Sequence, residues 1–320
     1  MKIVVALGGN ALTSKKGRGD YKSTIDSLKK ISIILADLVK KKHSIVITHG
    51  SGPQAGALLL QNELSKKKVP VMPLDVLDAE VQGQLGYMIE QTLLNTLNEH
   101  RLKRSVVTLL TQVLVDKKDP SFRKPSKPVG PFYTKKQVSK MKKKGFVYKE
   151  DSGRGYRRFV ASPYPLEIVE AKTIKNLVKK GIIVIATGGG GIPVYKKEGM
   201  LVGVEAVIDK DLASSVLAKQ VKADVLLLVT SIDKVYLNFR KKNQKGLNKV
   251  KLKEAVTYLD EGHFAEGSMA PKIRSAIEFI KNGGKKVIIT DPGNISKAVS
   301  GLAGTIIVKW KKELLLLKET

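Results

Sequence analysis

Residues 3–10 read IVVALGGN, and residues 44–53 read SIVITHGSGP. Each stretch begins with a continuous apolar run, which is typical of a parallel strand buried on both faces, and ends in a glycine-rich turn. Between them, residues 23–42 place Ile, Leu and Val side chains on one helical stripe. Strand, turn, helix and strand in this order predict a βαβ unit, and hence a parallel sheet with helices on both faces.

The same pattern of strand and turn returns three times later in the chain. Apolar runs at residues 182–186, 225–229 and 287–290 are each followed by a polar or glycine-rich turn. In open α/β sheets, ligands lie beyond the carboxyl ends of the strands, where all of these turns would fall. The sequence therefore predicts a three-layer αβα sandwich around a mainly parallel sheet, with a site assembled from several turns.

Two lysine-rich segments interrupt this pattern. Residues 117–158 contain 15 Lys and Arg residues, three acidic residues and four prolines. Because proline breaks regular structure, we interpret this segment as a small insertion that projects from the sheet. We expect residues 240–253 to form an exposed loop.

The composition excludes several kinds of site. The chain of 320 residues has no cysteine and only four histidines, none spaced as a zinc pair. Disulfides, thiolate metal sites and cysteine nucleophiles are therefore excluded, and a histidine metal site is not expected. No apolar run approaches the roughly 20 residues that cross a bilayer, and the apolar run at residues 3–7 is too short for a signal peptide. We expect a cytoplasmic protein without a membrane partner.

The charge raises one alternative function. The 58 Lys and Arg residues against 29 acidic residues give a net charge of +29, which is typical of proteins that bind polyanions. However, aromatic residues make up only 5% of the chain, and lysine outnumbers arginine 49 to 9. Base stacking uses aromatic residues and bidentate phosphate binding uses arginine, and both are scarce in this chain. We expect no specific nucleic acid partner, and a polyanion-binding protein is kept as the alternative.

Two of the glycine turns could bind an anion. Gly8-Gly9-Asn10 and Gly50-Ser51-Gly52 follow predicted strands, where backbone N–H groups and a helix N-terminus attract negative charge. Either turn alone is better explained by turn geometry, whereas three such loops at the ends of three buried strands favour anion binding. The P-loop motif is absent, and the glycines at residues 50–56 are spaced one residue too widely for the dinucleotide fingerprint. A phosphate site here would use another arrangement.

Three lysines occupy unusual positions. Residues 209–211 read DKD before a predicted helix at 212–219, for which an aspartate N-cap with a chance lysine is the simplest explanation. Lys272 follows Pro271 in the first turn of another predicted helix, where a cation opposes the helix dipole. That placement indicates an anion beside it, unless the lysine is only solvated. Lys127 lies between prolines that stiffen the backbone.

Taken together, these segments resemble the carbamate kinase family, a branch of the amino acid kinase superfamily. The matching stretches are VVALGGNAL (4–12), THGSGPQ (48–54), KPSKPVGPFY (124–133), GGGGIPV (188–194), VIDKDLAS (207–214), TSIDKVY (230–236) and GSMAPKI (267–273). They occur in the family's order and span nearly the whole chain. Related kinases for acetylglutamate and aspartate usually carry a lysine at the position of Ala6. Positive charge for the phosphoryl group must then come from other lysines.

The resemblance implies a phosphotransferase with a carboxyl-type acceptor. Its reaction would be the reversible transfer of a phosphoryl group between ATP and carbamate, giving ADP and carbamoyl phosphate, as at the end of arginine breakdown. Mg²⁺ would be held mainly through the nucleotide phosphates, without a metal site of the protein itself. The resemblance also implies a homodimer with an amino acid kinase-like fold. A sister enzyme of the family, acting on another small acid or phosphate, is the alternative among enzymes.

The resemblance also assigns roles to residues. The implied catalytic residues are Lys127, Lys210, Asp211 and Lys272. The implied acceptor-binding residues are Gly8, Gly9, Asn10, Gly50, Ser51 and Gly52, and the implied nucleotide-binding residues are Asp209, Asp233, Tyr236, Met269 and Pro271. We expect an acceptor-binding lobe at residues 1–205, which includes a protruding basic subdomain at 112–165, and a nucleotide-binding lobe at 206–320.

Overall fold

The computed structural model describes residues 1–12, 20–141, 145–151 and 153–309. Its centre is an eight-stranded sheet. The strand order is β15 (Lys249–Lys251), β17 (Thr305–Val308), β16 (Lys286–Thr290), β12 (Val225–Val229), β1 (Lys2–Leu7), β2 (Ser44–His49), β9 (Ile183–Ile185) and β3 (Val106–Thr108). Neighbouring strands are parallel except for the antiparallel pair of β16 and β17. The predicted mainly parallel sheet is confirmed.

Helices cover both faces of this sheet. One layer contains α2 (Tyr21–Lys40), α4 (Leu74–Glu99) and α10 (Ile295–Val299), and the other contains α6 (Ala171–Lys179), α7 (Lys210–Gln220), α8 (Leu252–Asp260) and α9 (Met269–Lys281). Because side chains alternate along a strand, Ile3 and Val5 of β1 pack into the first core while Val4 and Ala6 pack into the second. All four are fully buried. The predicted αβα sandwich is therefore confirmed.

Helix α2 shows how local chemistry sets the helix ends. The carboxylate of Asp20 accepts a hydrogen bond from the Ser23 backbone N–H at 2.9 Å and caps the helix. The predicted apolar stripe is buried at Leu28, Ile31 and Leu35. The helix begins and ends two residues earlier than the predicted 23–42 because this cap, not the stripe, decides where it starts.

The remaining elements form smaller units around the main sheet. A four-stranded sheet has the order β11 (Met200–Gly203), β10 (Ile192–Lys197), β4 (Gln112–Val115) and β8 (Pro165–Ile168). A three-stranded sheet has the order β5 (Lys127–Tyr133), β7 (Tyr156–Val160) and β6 (Val147–Glu150), and α5 (Lys135–Met141) accompanies it. The other elements are a hairpin of β13 (Val235–Leu237) and β14 (Lys245–Leu247) and the helices α1 (Gly9–Leu12) and α3 (Gly52–Ser65). Among the helices of the described residues, none is both long and apolar enough to span a membrane.

The three-stranded sheet and α5 lie within the predicted insertion. Its inner side packs through Val129 and Val160 against Leu74 of α4. Arg158 lies inside this unit, where it donates to Glu205 at 2.7 Å and stacks 3.8 Å from the centre of the Phe146 ring. Strand β4 instead pairs with β10 in the four-stranded sheet. The side chains of residues 140–144, the most basic run of the insertion, lie outside the described part of the chain.

The expectation of an exposed loop at residues 240–253 was correct for residues 240–244 and wrong for the rest. This segment contains β14 and β15 and enters α8 at Leu252. Val250 is buried in β15, which pairs in parallel with β17 at the edge of the main sheet. Most lysines of the segment are exposed, and β15 is only three residues long, so the sequence pattern did not indicate a strand.

Candidate active site

A cavity of about 400 Å³ lies at the carboxyl ends of the central strands. Gly8 follows β1, Gly50 follows β2 and Thr230 follows β12, and all three line it. Strands β1 and β12 are neighbours, and the strand order continues from β1 to β2 in one direction and from β12 to β16 in the other. Such a change of direction opens a crevice between neighbouring strands, which is where open α/β sheets bind ligands.

Two of the predicted glycines hold the strand ends together. The Gly8 N–H donates to the Val229 carbonyl oxygen at 3.0 Å, and the Gly50 N–H donates to the Leu7 carbonyl oxygen at 2.9 Å. A Cβ atom on Gly50 would lie 2.9 Å from the backbone nitrogen of Gly9. Gly8 and Gly50 therefore line the cavity, but their own N–H groups are engaged within the protein, and their lack of a side chain serves packing.

Gly9 and Gly52 differ from these two in the space around their Cα atoms. A Cβ atom at either position would meet no other atom within 4 Å, and both residues line the cavity. Gly52 begins α3, whose N-cap Ser51 makes no side-chain capping bond and also lines the cavity. Because the first N–H groups of a helix have no intrahelical acceptor, this end of α3 is suited to bind an anion. The side chain of Asn10 lies outside the described part of the chain.

The predicted lysines and aspartates meet at the same cavity. The Lys210 Nζ donates to Asp211 Oδ1 at 2.5 Å, and the Lys272 Nζ donates to Asp211 Oδ2 at 3.0 Å. Lys127, on β5, donates to Asp209 Oδ2 at 2.9 Å. All five residues line the cavity. The insertion and two helices of the core thus bring three ammonium groups to one cavity.

Asp209 has a second role as the N-cap of α7. Its Oδ1 accepts from the Asp211 backbone N–H at 2.9 Å and from that of Leu212 at 3.4 Å. The N-cap interpretation is therefore confirmed, and Lys210 lines the cavity and pairs with Asp211. The helix begins at Lys210, two residues before the predicted start.

The charges of this cluster are strongly coupled. Burial opposes ionisation of Asp211, but the charges of Lys210 and Lys272 outweigh it and lower the pKa of Asp211 to about 2. Burial also lowers the pKa of Lys210 below its usual 10.5, an effect that Asp211 counteracts. Three ammonium groups face two carboxylates, so the wall carries an excess of one positive charge. An anionic ligand would complete the charge balance.

Behind the turn that follows β2, His49 is buried and neutral. Burial lowers the pKa of His49 to about 4, a hydrogen bond with Gly50 works against this, and the charge of Lys210 lowers it further. Its Nδ1 lies 3.2 Å from the Gly50 carbonyl oxygen. A neutral imidazole with Nδ1–H donates to that oxygen and supports the turn from behind.

A second, mostly apolar cavity of about 130 Å³ adjoins the first. The two share Thr230, Ser231 and Ser268 on their walls. Of the predicted nucleotide residues, Tyr236 and Met269 line the second cavity, and Asp209 and Pro271 line the first. Asp233 is absent from both walls and instead accepts a hydrogen bond from the Tyr236 hydroxyl at 2.8 Å. The arrangement has an apolar compartment beside a cationic one.

Several residues of the walls were not predicted. They include Thr230, Ser231, Gly189, Gly267 and Ser268, which lie within the quoted motifs or at their ends, and Asp78 of α4, which lies outside them. The signal for Asp78 was an acidic residue on an otherwise apolar helical stripe that includes Leu74, Leu77 and Val81. Asp78 is 6% exposed, and that burial, with the charge of Asp75, raises its pKa well above 3.8.

A search for related proteins identifies the class to which this fold and site belong. The amino acid kinase family model matches residues 1–291, so the chain belongs to the amino acid kinase family. Within that family it groups with the carbamate kinases. It is 47% identical to the carbamate kinase of Pyrococcus horikoshii over 307 residues, covering 95% of this chain and 98% of that one.

Two further relatives are also carbamate kinases. The chain is 46% identical to the carbamate kinase of Clostridium perfringens over 314 residues, covering 97% of this chain and 100% of that one. The solved structure of carbamate kinase from Giardia lamblia bound to AMP-PNP superimposes with a TM-score of 0.91 at 41% identity, covering 97% of this chain and 98% of that one. The predicted fold and family are both confirmed.

Proposed function

We propose that this chain catalyses the reversible transfer of a phosphoryl group between ATP and carbamate, giving ADP and carbamoyl phosphate. The observation that carries the proposal is the cluster at the cavity wall, where the Asp211 carboxylate holds the ammonium groups of Lys210 and Lys272. Relatives above 40% identity over nearly their whole length are carbamate kinases, which supports the same assignment.

The two adjoining cavities suggest where each substrate binds. The apolar cavity, with Tyr236 and Met269 on its wall, has the character of a site for an adenine base. Its shared wall with the larger cavity would lead the phosphates towards Lys210 and Lys272. The Giardia relative was solved with AMP-PNP, an ATP analogue, which supports nucleotide binding in this chain. Carbamate would then occupy the far end of the larger cavity, near Lys127.

In this arrangement the protein acts mainly by alignment and charge. During phosphoryl transfer, negative charge spreads over the equatorial oxygens of the migrating group, and fixed cations stabilise it. Lys210 and Lys272 are held in place by Asp211 before any ligand arrives. The backbone at Gly9 and the first turn of α3 would face the same oxygens. No catalytic base is required, because the attacking carbamate oxygen is already anionic.

The acidic residues of the wall fit a metal ion held mainly by phosphates. Asp209 is engaged by Lys127, and Asp211 by two lysines. The part of the chain that the structure describes contains no group of three or more His, Asp or Glu residues arranged to hold a metal. Mg²⁺ prefers few protein carboxylates together with substrate phosphates. When bound with the nucleotide, it would neutralise phosphate charge that the three lysines leave uncompensated.

Three further properties stay predictions: a homodimer and a role in arginine breakdown, which the resemblance implies, and a cytoplasmic location, which the composition indicates. The first can be tested directly by sedimentation equilibrium of the purified chain. A mass twice the 35.0 kDa of one chain is expected, and a single-chain mass would contradict it.

The proposed activity is tested by ATP formation from carbamoyl phosphate and ADP, followed with a coupled luciferase assay. We expect ATP that depends on enzyme, ADP and carbamoyl phosphate, and little ATP when other small acyl phosphates replace the donor. Preference for another phosphate would instead identify a sister kinase. For the polyanion alternative, binding to DNA or RNA that survives 0.2 M salt, in a chain without kinase activity, would replace the proposal.

A further inference from the structure

One buried acidic residue of the cavity wall has no role in the mechanism above. Asp78 lies in the first turn or two of α4, is 6% exposed and lines the larger cavity. Its Oδ2 is shielded from solvent and has no hydrogen-bond partner among the described residues. Buried polar atoms in folded proteins are nearly always paired. An unpaired oxygen on a residue that lines a cavity therefore indicates a partner that arrives with a ligand.

A polar side chain close to Asp78 on the same helix does have hydrogen-bond partners. Gln82, one turn later on the same helix, donates to the Thr111 carbonyl oxygen at 3.1 Å and accepts from the Thr111 N–H at 2.9 Å. Six buried side-chain atoms of the described residues lack a partner, and they belong to Gln54, Asp78, Thr108, Ser121, Thr187 and Thr290. Of these six residues, Asp78 alone lines either of the two cavities.

Asp78 lines the larger cavity and is absent from the wall of the smaller one, which is the proposed adenine site. That site is marked by Thr230 and Ser268, which the two cavities share. Leu74, one helical turn before Asp78 and on the same face, packs against Val129 of β5. Lys127 lies two residues before Val129 on that strand. Asp78 and Lys127 therefore border the same end, where the acceptor would bind.

The surroundings also determine the charge of the carboxyl group. Burial, followed by the negative charge of Asp75, raises the pKa of Asp78 well above 3.8. The nearby lysines are engaged elsewhere, Lys127 by Asp209 and the other two by Asp211. A neutral carboxyl group offers one O–H donor beside one carbonyl acceptor.

We propose that Asp78 recognises the carbamoyl group of the acceptor, an inference that rests on the proposed function. Carbamate and carbamoyl phosphate present an N–H donor beside an oxygen acceptor, which is the complement of a neutral carboxyl group. The Asp78 carbonyl oxygen accepts from the amino group, and its hydroxyl donates to the carbamoyl oxygen that is not bonded to phosphorus. No covalent bond changes at Asp78. Its function is to select the amino group, because a methyl group at that position leaves the carbonyl oxygen unpaired.

The test compares carbamoyl phosphate with acetyl phosphate, in which a methyl group replaces the amino group. The Michaelis constant of carbamoyl phosphate and the inhibition constant of acetyl phosphate against it are measured in the ATP-forming assay. Their ratio does not depend on the fraction of active enzyme, so a partly unfolded variant still gives an answer. The variants are Asp78→Ala, Asp78→Asn and, as the matched control, Glu80→Gln at an exposed position of the same helix.

In Asp78→Ala we expect the Michaelis constant of carbamoyl phosphate to rise about ten- to hundredfold, with the inhibition constant of acetyl phosphate changed less than about threefold. Asp78→Asn is expected to restore most of the preference, because its amide also offers a donor and an acceptor. Glu80→Gln is expected to match the wild type.

Equal effects on both ligands, no effect on either, or an Asn variant as impaired as the Ala variant would overturn the inference while the wild type remains active. A wild type that makes no ATP from carbamoyl phosphate would overturn the proposed function and the role of Asp78 with it.

Discussion

The Lys272 Nζ donates to Asp211 Oδ2 at 3.0 Å, although the two residues are 61 positions apart and lie on different helices, α9 and α7. The second carboxylate oxygen of Asp211 accepts from Lys210. One buried carboxylate therefore fixes two ammonium groups at one cavity wall. Because α7 and α9 pack into the same core, the fold sets the spacing of these cations before a ligand binds. Such preorganised charge needs no rearrangement during the reaction.

Replacing Asp211 by Asn tests how much stability this carboxylate supplies. The variant leaves two buried ammonium groups without a counter-charge, which costs about 3–5 kcal/mol in comparable pairs. The pKa of about 2 in the folded protein lies below the usual 3.8, so the carboxylate stabilises the fold fully above about pH 4. That contribution is lost as the pH falls towards 2.

The measurement is urea unfolding of the wild type and Asp211→Asn at several pH values. The difference in unfolding free energy is expected to be largest near neutral pH and to narrow below pH 4, by roughly 2 kcal/mol. Asp26→Asn, at an exposed position of α2, is the control and is expected to match the wild type. A difference independent of pH would contradict the assignment.

Lys210→Ala tests the catalytic contribution of one ammonium group. Removing a single preorganised charge donor lowers kcat about 10²- to 10³-fold in comparable enzymes. The fold is expected to persist, because Asp211 keeps its bond to Lys272. Steady-state ATP formation and circular dichroism measure the two properties, with Lys219→Ala at the exposed end of α7 as the control. A near-normal kcat in Lys210→Ala would remove this residue from the mechanism.

Lys127→Ala tests whether the acceptor and the nucleotide bind at different ends of the site. Lys127 lies on β5, whereas the proposed nucleotide site is formed by residues near β12 and α9. We therefore expect the Michaelis constant of carbamoyl phosphate to rise at least tenfold, and that of ADP to change less than about threefold. Lys124→Ala, exposed three residues earlier, is the control. An equal loss for both substrates would show that Lys127 does not distinguish them.

The sequence predicted the fold well because its strands are continuous apolar runs. The run at residues 225–229 is β12 without any change of boundary, and the run at 3–7 is β1 with one added residue. Parallel strands buried on both faces leave little room for another interpretation. Helix ends were less predictable, since capping contacts such as that of Asp20 decide them.

Other features were hidden from sequence reasoning. Helix α4 has 26 residues but contacts α2, β3 and the turn at Gly188–Gly190, so its apolar residues are spread around the helix and give a weak stripe. For the site, local patterns brought out Lys210 and Lys272 separately. The resemblance implied a catalytic role for their shared partner Asp211, but its contact with Lys272 could not be predicted from spacing, because the packing of α7 on α9 creates it.

The buried imidazole of His49 predicts a second pH effect. Its folded pKa of about 4 lies below the usual 6.5, so the unfolded chain binds a proton more readily between these values. The stability that His49 contributes is present above pH 6.5 and is lost as the pH falls towards 4. In His49→Gln, the decline of unfolding free energy across this window is expected to be smaller by roughly 3 kcal/mol. The control His100→Gln, at an exposed position, is expected to retain the full decline. Identical slopes in His49→Gln and the wild type would contradict a neutral, buried imidazole.

Gly50 and Gly52 lie in the same turn but are predicted to respond oppositely to an added methyl group. In Gly50→Ala, the new Cβ atom would lie 2.9 Å from the Gly9 backbone nitrogen and 3.3 Å from Lys210 Cδ. Because backbone atoms must shift to relieve the first contact, the variant is expected to lose about 1–3 kcal/mol of unfolding free energy. In Gly52→Ala, the new atom meets nothing within 4 Å and enters the cavity at the first turn of α3.

Gly52→Ala is therefore expected to keep its unfolding free energy within about 1 kcal/mol, because alanine suits a helix better than glycine. Its kcat/KM for carbamoyl phosphate is expected to fall at least tenfold, since the methyl group occupies space meant for the phosphoryl oxygens. Thermal unfolding and the ATP-forming assay measure both properties for the pair, and each variant serves as the control for the other. If Gly52→Ala lost stability while Gly50→Ala lost only activity, the distinction between packing glycines and cavity glycines would be wrong.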